Sequence, residues 1–123
     1  MRLAEVTLHG VTYPAAFTLR VAMRIAEKYG SVDAVLERDL PPAAAIERKA
    51  FGLAEMLKAG EKLAAAEGRD TPAPPDMDGI LDGFDATDAG EINRAILNVI
   101  SIGSKTTVET EPDSKNAAAT QDP

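Results

Sequence analysis

The chain contains no cysteine and no tryptophan, and only one histidine. Without thiols, disulfides and thiolate metal sites are excluded, and the composition fits a reducing compartment. Long hydrophobic runs are missing too. No stretch approaches the roughly 20 apolar residues that span a bilayer, and the opening "MRLAEVTLHG" has no apolar run of signal-peptide length. The expectation is a soluble cytoplasmic protein without membrane contact. Aromatic residues are scarce, three Phe and two Tyr, so the core must be built mainly from small aliphatic side chains, alanine prominent among them. Excess positive charge is also lacking. The formal net charge is −7, and nucleic-acid phosphate calls for a basic face, so no nucleic-acid partner is expected.

The negative charge is unevenly placed. Residues 18–69 carry nine basic and eight acidic side chains, whereas residues 70–123 carry three basic against eleven acidic. A balanced half followed by an acidic half often marks a folded part and a solvated or partner-binding part.

Local patterning predicts an α+β protein that is mostly α: an N-terminal β-hairpin, about four helices and a disordered C-terminal tail. "LAEVTL" (3–8) and "VTYPAAF" (11–17) flank "HG" as a hairpin, with Pro14 confined to an edge or a strand end. Thr18 is placed to cap a helix whose inward side is Phe17, Val21, Ala22, Ile25 and Tyr29, with Phe17 as a staple and Gly30 as a left-handed stop. Ser31 caps a short helix to about Asp39 with Val32, Val35 and Leu36 inward. Pro41 and Pro42 prime a long helix, about 43–67, whose stripe is Ile46, Ala50, Leu53, Leu57, Gly60 and Ala64. Phe51 breaks that pattern by projecting among charges; the alternative is that the 31–39 helix covers it. A proline-rich linker, about 68–76, lies inside a single small domain spanning residues 1–103. A last helix from about Asp88 to Ile102 has a capping-box spacing at Asp88 and Glu91. Its apolar surface of Ile92, Ala95, Ile96, Val99, Ile100 and Ile102 is broad for its length. Gly103 then opens a polar, acidic tail, 104–123, expected to be disordered.

Motifs with chemistry are few and incomplete. "IGSKTT" (102–107) places Ser between Gly103 and Lys105 and has Asn98 where a phosphate loop needs Gly, so it reads as a helix end. "DMDGILDGFDATD" (76–88) has Ile80, Leu81 and Thr87 where a calcium loop needs an oxygen donor, Gly and Glu, so its aspartates read as helix caps. His9 has no second ligand or nucleophile near it in sequence and reads as a turn residue. The carboxylates are spread over charge-mixed faces. Neither an enzyme, nor a cofactor, nor a metal site is expected. What remains is interaction chemistry, and Phe51, Ile92, Ile96, Val99 and Ile100 are the candidate protein-binding residues.

The order of these features is recognisable. "VTYPAAFTLRVAMRIAEKYGS" running strand into helix, then a short helix, a long Ala-rich helix, a linker, "EINRAILNVI" and "GSKTTVETEP" resemble the tail assembly chaperones of long-tailed, siphovirus-type bacteriophages and prophages over about residues 3–110. The resemblance implies a chaperone in the host bacterial cytoplasm, absent from the mature virion. It would coat the tape measure protein, keep it soluble and help recruit major tail tube subunits. It also implies self-association, and a longer frameshifted form of which this chain is the shorter counterpart. A competing expectation is an acidic DNA mimic that inhibits a host nuclease, which predicts a continuous carboxylate face. A third is a small enzyme holding a metal among Asp76–Asp88.

Overall fold

The computed structural model describes residues 3–109, with side chains described as far as Gly103. Strand β1 (Ala4–Leu8) pairs antiparallel with β2 (Val11–Ala15), Ala4 opposite Ala15 and Leu8 opposite Val11. The two-residue turn His9-Gly10 has φ of 49° and 81°, the left-handed pair that matches strand twist in a tight hairpin. In β1 the expected alternation holds: Ala4, Val6 and Leu8 are buried, Glu5 and Thr7 exposed. Pro14 lies inside β2 opposite Glu5, and a two-stranded sheet tolerates it because each strand is an edge.

Helix α1 (Leu19–Tyr29) begins as the sequence suggests. The Val21 N–H donates to Thr18 Oγ1 at 3.2 Å, and Gly30, at φ 90°, closes the other end by donating to the Ala26 carbonyl at 2.7 Å. The expected helix after Ser31 is shorter than predicted, a 3₁₀ helix over Val32–Leu36. Ala34 and Val35 turn inward, while Val32, expected inside, is 41% exposed.

Helix α2 (Pro42–Ala66) is the spine. Ala50, Leu53, Leu57, Gly60 and Ala64 are buried along the expected stripe, and Gly52 and Met56 join them because α2 is covered on more than one side. Ile46 leaves the stripe: it is 57% exposed, because residues 80–92 stand across a cavity from it instead of packing on it. The helix ends with Gly68 at φ 80°, the Gly68 and Arg69 N–H groups donating to the Ala65 and Ala64 carbonyls, a Schellman arrangement.

Helix α3 (Met77–Gly83) follows the non-helical linker, and α4 (Ala89–Glu109) follows a 3₁₀ turn at Ala86–Asp88. The aspartates act as caps: Asp76 Oδ1 accepts from Gly79 N–H at 2.8 Å, and Asp85 Oδ1 from Thr87 N–H at 2.9 Å. The capping box is Asp85 with Asp88, one turn before the expected Asp88 with Glu91. Gly103 does not end the helix. The backbone of α4 continues to Glu109, and a Cβ at Gly103 would stand 3.4 Å from that of Phe17, so the glycine lets α4 pass close to the hairpin exit. The tail expected from residue 104 is therefore helical in its backbone as far as residue 109, and the rest of that expectation, residues 110–123, lies outside the described residues.

The core lies where α2 meets the hairpin, α1 and α4. Leu8, Val21, Ile25, Val35, Leu53, Met56, Leu57, Ile80, Ile96 and Val99 are its largest fully buried side chains, each contributing about 1.5–3 kcal/mol of transfer free energy. The closest approach is between main chains. A Cβ at Gly60 would fall 2.2 Å from the Pro14 carbonyl oxygen, and the Ala16 N–H donates to the Met56 carbonyl at 3.1 Å. The strand exit therefore rests directly on the backbone of α2.

Candidate apolar docking groove

The N-terminal part of α2, α3 and the start of α4 surround a cavity of about 250 Å³. Its apolar lining comes chiefly from Ile46, Ala50, Ile80, Leu81, Phe84 and Ile92. Ile80 and Ala50 are buried in its floor, each 2% exposed. Ile46, at 57%, and Leu81, at 39%, stand exposed on its walls. Two large exposed aliphatic side chains lining one cleft would both gain by being covered.

Charge at the margin is arranged by the fold. Lys49 lines the groove, and its ammonium donates to the Val35 carbonyl at 3.1 Å, while partial burial lowers its pKa from the ordinary lysine value. Asp85 lines it as well; hydrogen bonds from the Thr87 hydroxyl and then the Thr87 N–H hold its carboxyl below the usual carboxylate value. Helix α3, which supplies Ile80 and Leu81, also carries Asp78 and Asp82 on exposed positions. An apolar helix flanked by basic residues matches this edge.

The five residues singled out from periodicity are dispersed by the fold. Ile92 reaches the groove. Ile96 and Val99, 0% and 1% exposed, are part of the chain's own core and present no surface, because α4 lies on β1 and α2. Ile100 is partly buried against the same core. Phe51 is also partly buried. Its ring meets Tyr29 edge-on with centroids 5.7 Å apart, and the Lys28 ammonium lies 5.5 Å from both ring centres. Its cover is thus the end of α1, where the sequence suggested either open charges or the segment 31–39. The guanidinium of Arg48 is 5.0 Å from the Tyr29 ring, and the buried Tyr29 hydroxyl has no hydrogen-bond partner among the described residues. Burial, then Glu47, raises the pKa of that phenol.

Ile46, Leu81 and Phe84 were not singled out as binding residues by their spacing. Ile46 matches the core stripe, while Leu81 lies in the seven-residue α3 and Phe84 directly after it, a segment too short to show a periodic face. The available signal was the position of Ile46 in the first turns of a helix entered from two prolines, where few neighbours can cover it.

His9 also acquires partners. Its ring stacks on Phe84 with centroids 4.1 Å apart and planes at 20°, and its Nε2 lies 3.0 Å from Asp88 Oδ2. Donor atoms of His9, Asp88 and Glu91 all lie within 4.8 Å of one another. Asp76 and Asp85, members of the loop considered as a metal ligand set, spend their side chains on caps. No helix among the described residues is long and apolar enough to cross a membrane. Comparison with protein-family models, curated proteins and solved structures returned no match.

Proposed function

We propose that this chain is a tail assembly chaperone of a siphovirus-type phage or prophage, acting without enzymatic activity in the host bacterial cytoplasm. Its groove takes an amphipathic helix of the tape measure protein, keeps that protein soluble, and leaves when major tail tube subunits replace it. The observation that carries the reading is the apolar groove, with Ile46 and Leu81 exposed on opposite elements. Hydrophobic helix faces on a long unassembled protein aggregate unless covered. Many copies, each binding weakly, cover such a chain through multivalency and remain displaceable.

The hairpin, the helix capped by Thr18 and the long helix follow in the succession on which the family resemblance rests. A DNA mimic needs an unbroken carboxylate face. Glu37, Glu47 and Glu55 instead pair with Arg48, Lys28 and Arg24, at 2.9, 3.8 and 3.5 Å. Self-association and a longer frameshifted form belong to the same proposal.

Co-expression tests it. The chain should hold the product of a neighbouring very long helical gene in the soluble fraction, and Leu81→Asp, with an unchanged circular dichroism spectrum, should reduce that fraction several-fold. Unchanged rescue by the folded variant would remove the groove from the mechanism. In the genome, a slippery site and overlapping frame downstream should precede that long gene.

A further inference from the structure

His9 and Asp88 are 79 residues apart in the chain, yet their side chains meet. We infer that His9, Asp88 and Glu91 form a binding site for a divalent transition metal of the Zn²⁺ class, clamping the hairpin turn to the start of α4. The donor set is one imidazole and two carboxylates from two separate elements, converging within 4.8 Å. Three protein ligands of this kind leave a further position for water.

The spacing suits an ion. Ligands bonded at about 2.1 Å in a tetrahedral set are about 3.4 Å apart, and His9 Nε2 and Asp88 Oδ2, now hydrogen-bonded at 3.0 Å, need part only slightly to admit one. Both are held in place before any ion arrives. His9 sits in a left-handed turn at φ 49° and is stacked on Phe84, while Asp88 Oδ2 accepts from the Asp85 N–H at 3.0 Å. Glu91 follows Asp88 by three residues and so lies on the same side of the helix. Ligands of one tetrahedral ion are about 3.4 Å apart, so donor atoms that lie within 4.8 Å of one another close onto it by rotation of the Glu91 side chain.

On binding, the ion takes the place of the Nε2–H···Oδ2 hydrogen bond. In the metal-bound form the imidazole carries its proton on Nδ1 and gives its Nε2 lone pair to the metal. An imidazole nitrogen favours zinc and its neighbours, whereas calcium asks for six to eight oxygens. Asp85 is not one of the three converging groups. The site is independent of the chaperone reading, although Phe84 belongs to both the histidine stack and the groove wall.

The chain has a single histidine, so its imidazole signals in an NMR spectrum are unambiguous once any polyhistidine tag is removed. Chelator-treated full-length protein should bind one Zn²⁺ with Kd on the order of micromolar by calorimetry. The His9 ring resonances should shift in step, and Ca²⁺ should bind at least about 100-fold more weakly. Glu91→Gln and His9→Gln, each checked for native circular dichroism, should weaken Zn²⁺ by about tenfold or more. Absence of binding, Zn²⁺ binding that leaves the His9 signals unmoved, equal affinity for Ca²⁺, or full affinity in the folded Glu91→Gln protein would each overturn the site. Should both variants unfold, the His9 resonances of the unsubstituted protein decide alone.

Discussion

The two halves of α2 are packed in opposite ways. From Gly52 to Ala64 the helix is sealed: Gly60 admits the Pro14 carbonyl, Gly52 admits Val35, and Leu53, Met56 and Leu57 are wholly buried. From Pro42 to Lys49 it is open, with Ile46 exposed and a cavity of about 250 Å³ beside it. The same helix therefore provides both the anchor of the fold and one wall of the groove. Sealing one half by main-chain contact allows the other to keep apolar side chains uncovered without loss of the native state, because cooperativity is carried by the sealed half.

Substitutions can separate the two halves. The largest effect is expected for Gly60→Ala. Alanine favours helix by about 1 kcal/mol, but a Cβ 2.2 Å from the Pro14 carbonyl oxygen meets backbone, which yields little. A net loss of about 3 kcal/mol in urea unfolding follows, and a stabilised Gly60→Ala protein would refute the sealed contact. Gly52→Ala is expected to cost less, about 1 kcal/mol, because its Cβ would meet the Val35 side chain at 2.7 Å, which shifts more readily than a main chain.

In the open half, Ile46→Asp should change the urea midpoint by the equivalent of less than about 0.5 kcal/mol, since the side chain is already 57% exposed. Under the function proposed above, rescue of tape measure protein solubility by this variant should nevertheless drop. A large stability loss in Ile46→Asp would mean that the groove is filled in solution. The smallest effect concerns acid. The Asp85 carboxyl has its pKa lowered from 3.8 in the fold. The stability it contributes is therefore fully present above that unfolded value and is lost as pH falls through the lower folded value. Asp85→Asn should make the acid limb of a stability–pH curve shallower below about pH 4, leaving its shape near neutrality unchanged.

Local chemistry made much of the fold legible. The Thr18 cap, the Gly30 stop, the proline entry to α2 and the His9-Gly10 turn each depend on residues within a few positions of one another. Where two local solutions compete, spacing does not choose. Asp85 with Asp88 and Asp88 with Glu91 both satisfy a cap-like interval, and the end of α3 at Gly83 leaves the first of them at the helix entrance. Of the candidate binding residues, only Ile92 reached the groove. Helical periodicity identifies a face but not what lies opposite it. Phe51 found Tyr29, and Ile96 and Val99 found the core, because α1, β1 and α2 happened to be there.

The sequence by itself determined the succession of hairpin and helices, their caps and the acidic second half, since propensity, capping and charge act over a turn or two. Only the tertiary structure decided that Ile46 stays outside, that Gly60 receives a strand and that His9 meets Asp88. Those outcomes depend on contacts between distant segments, and their partners are set by how the whole chain packs.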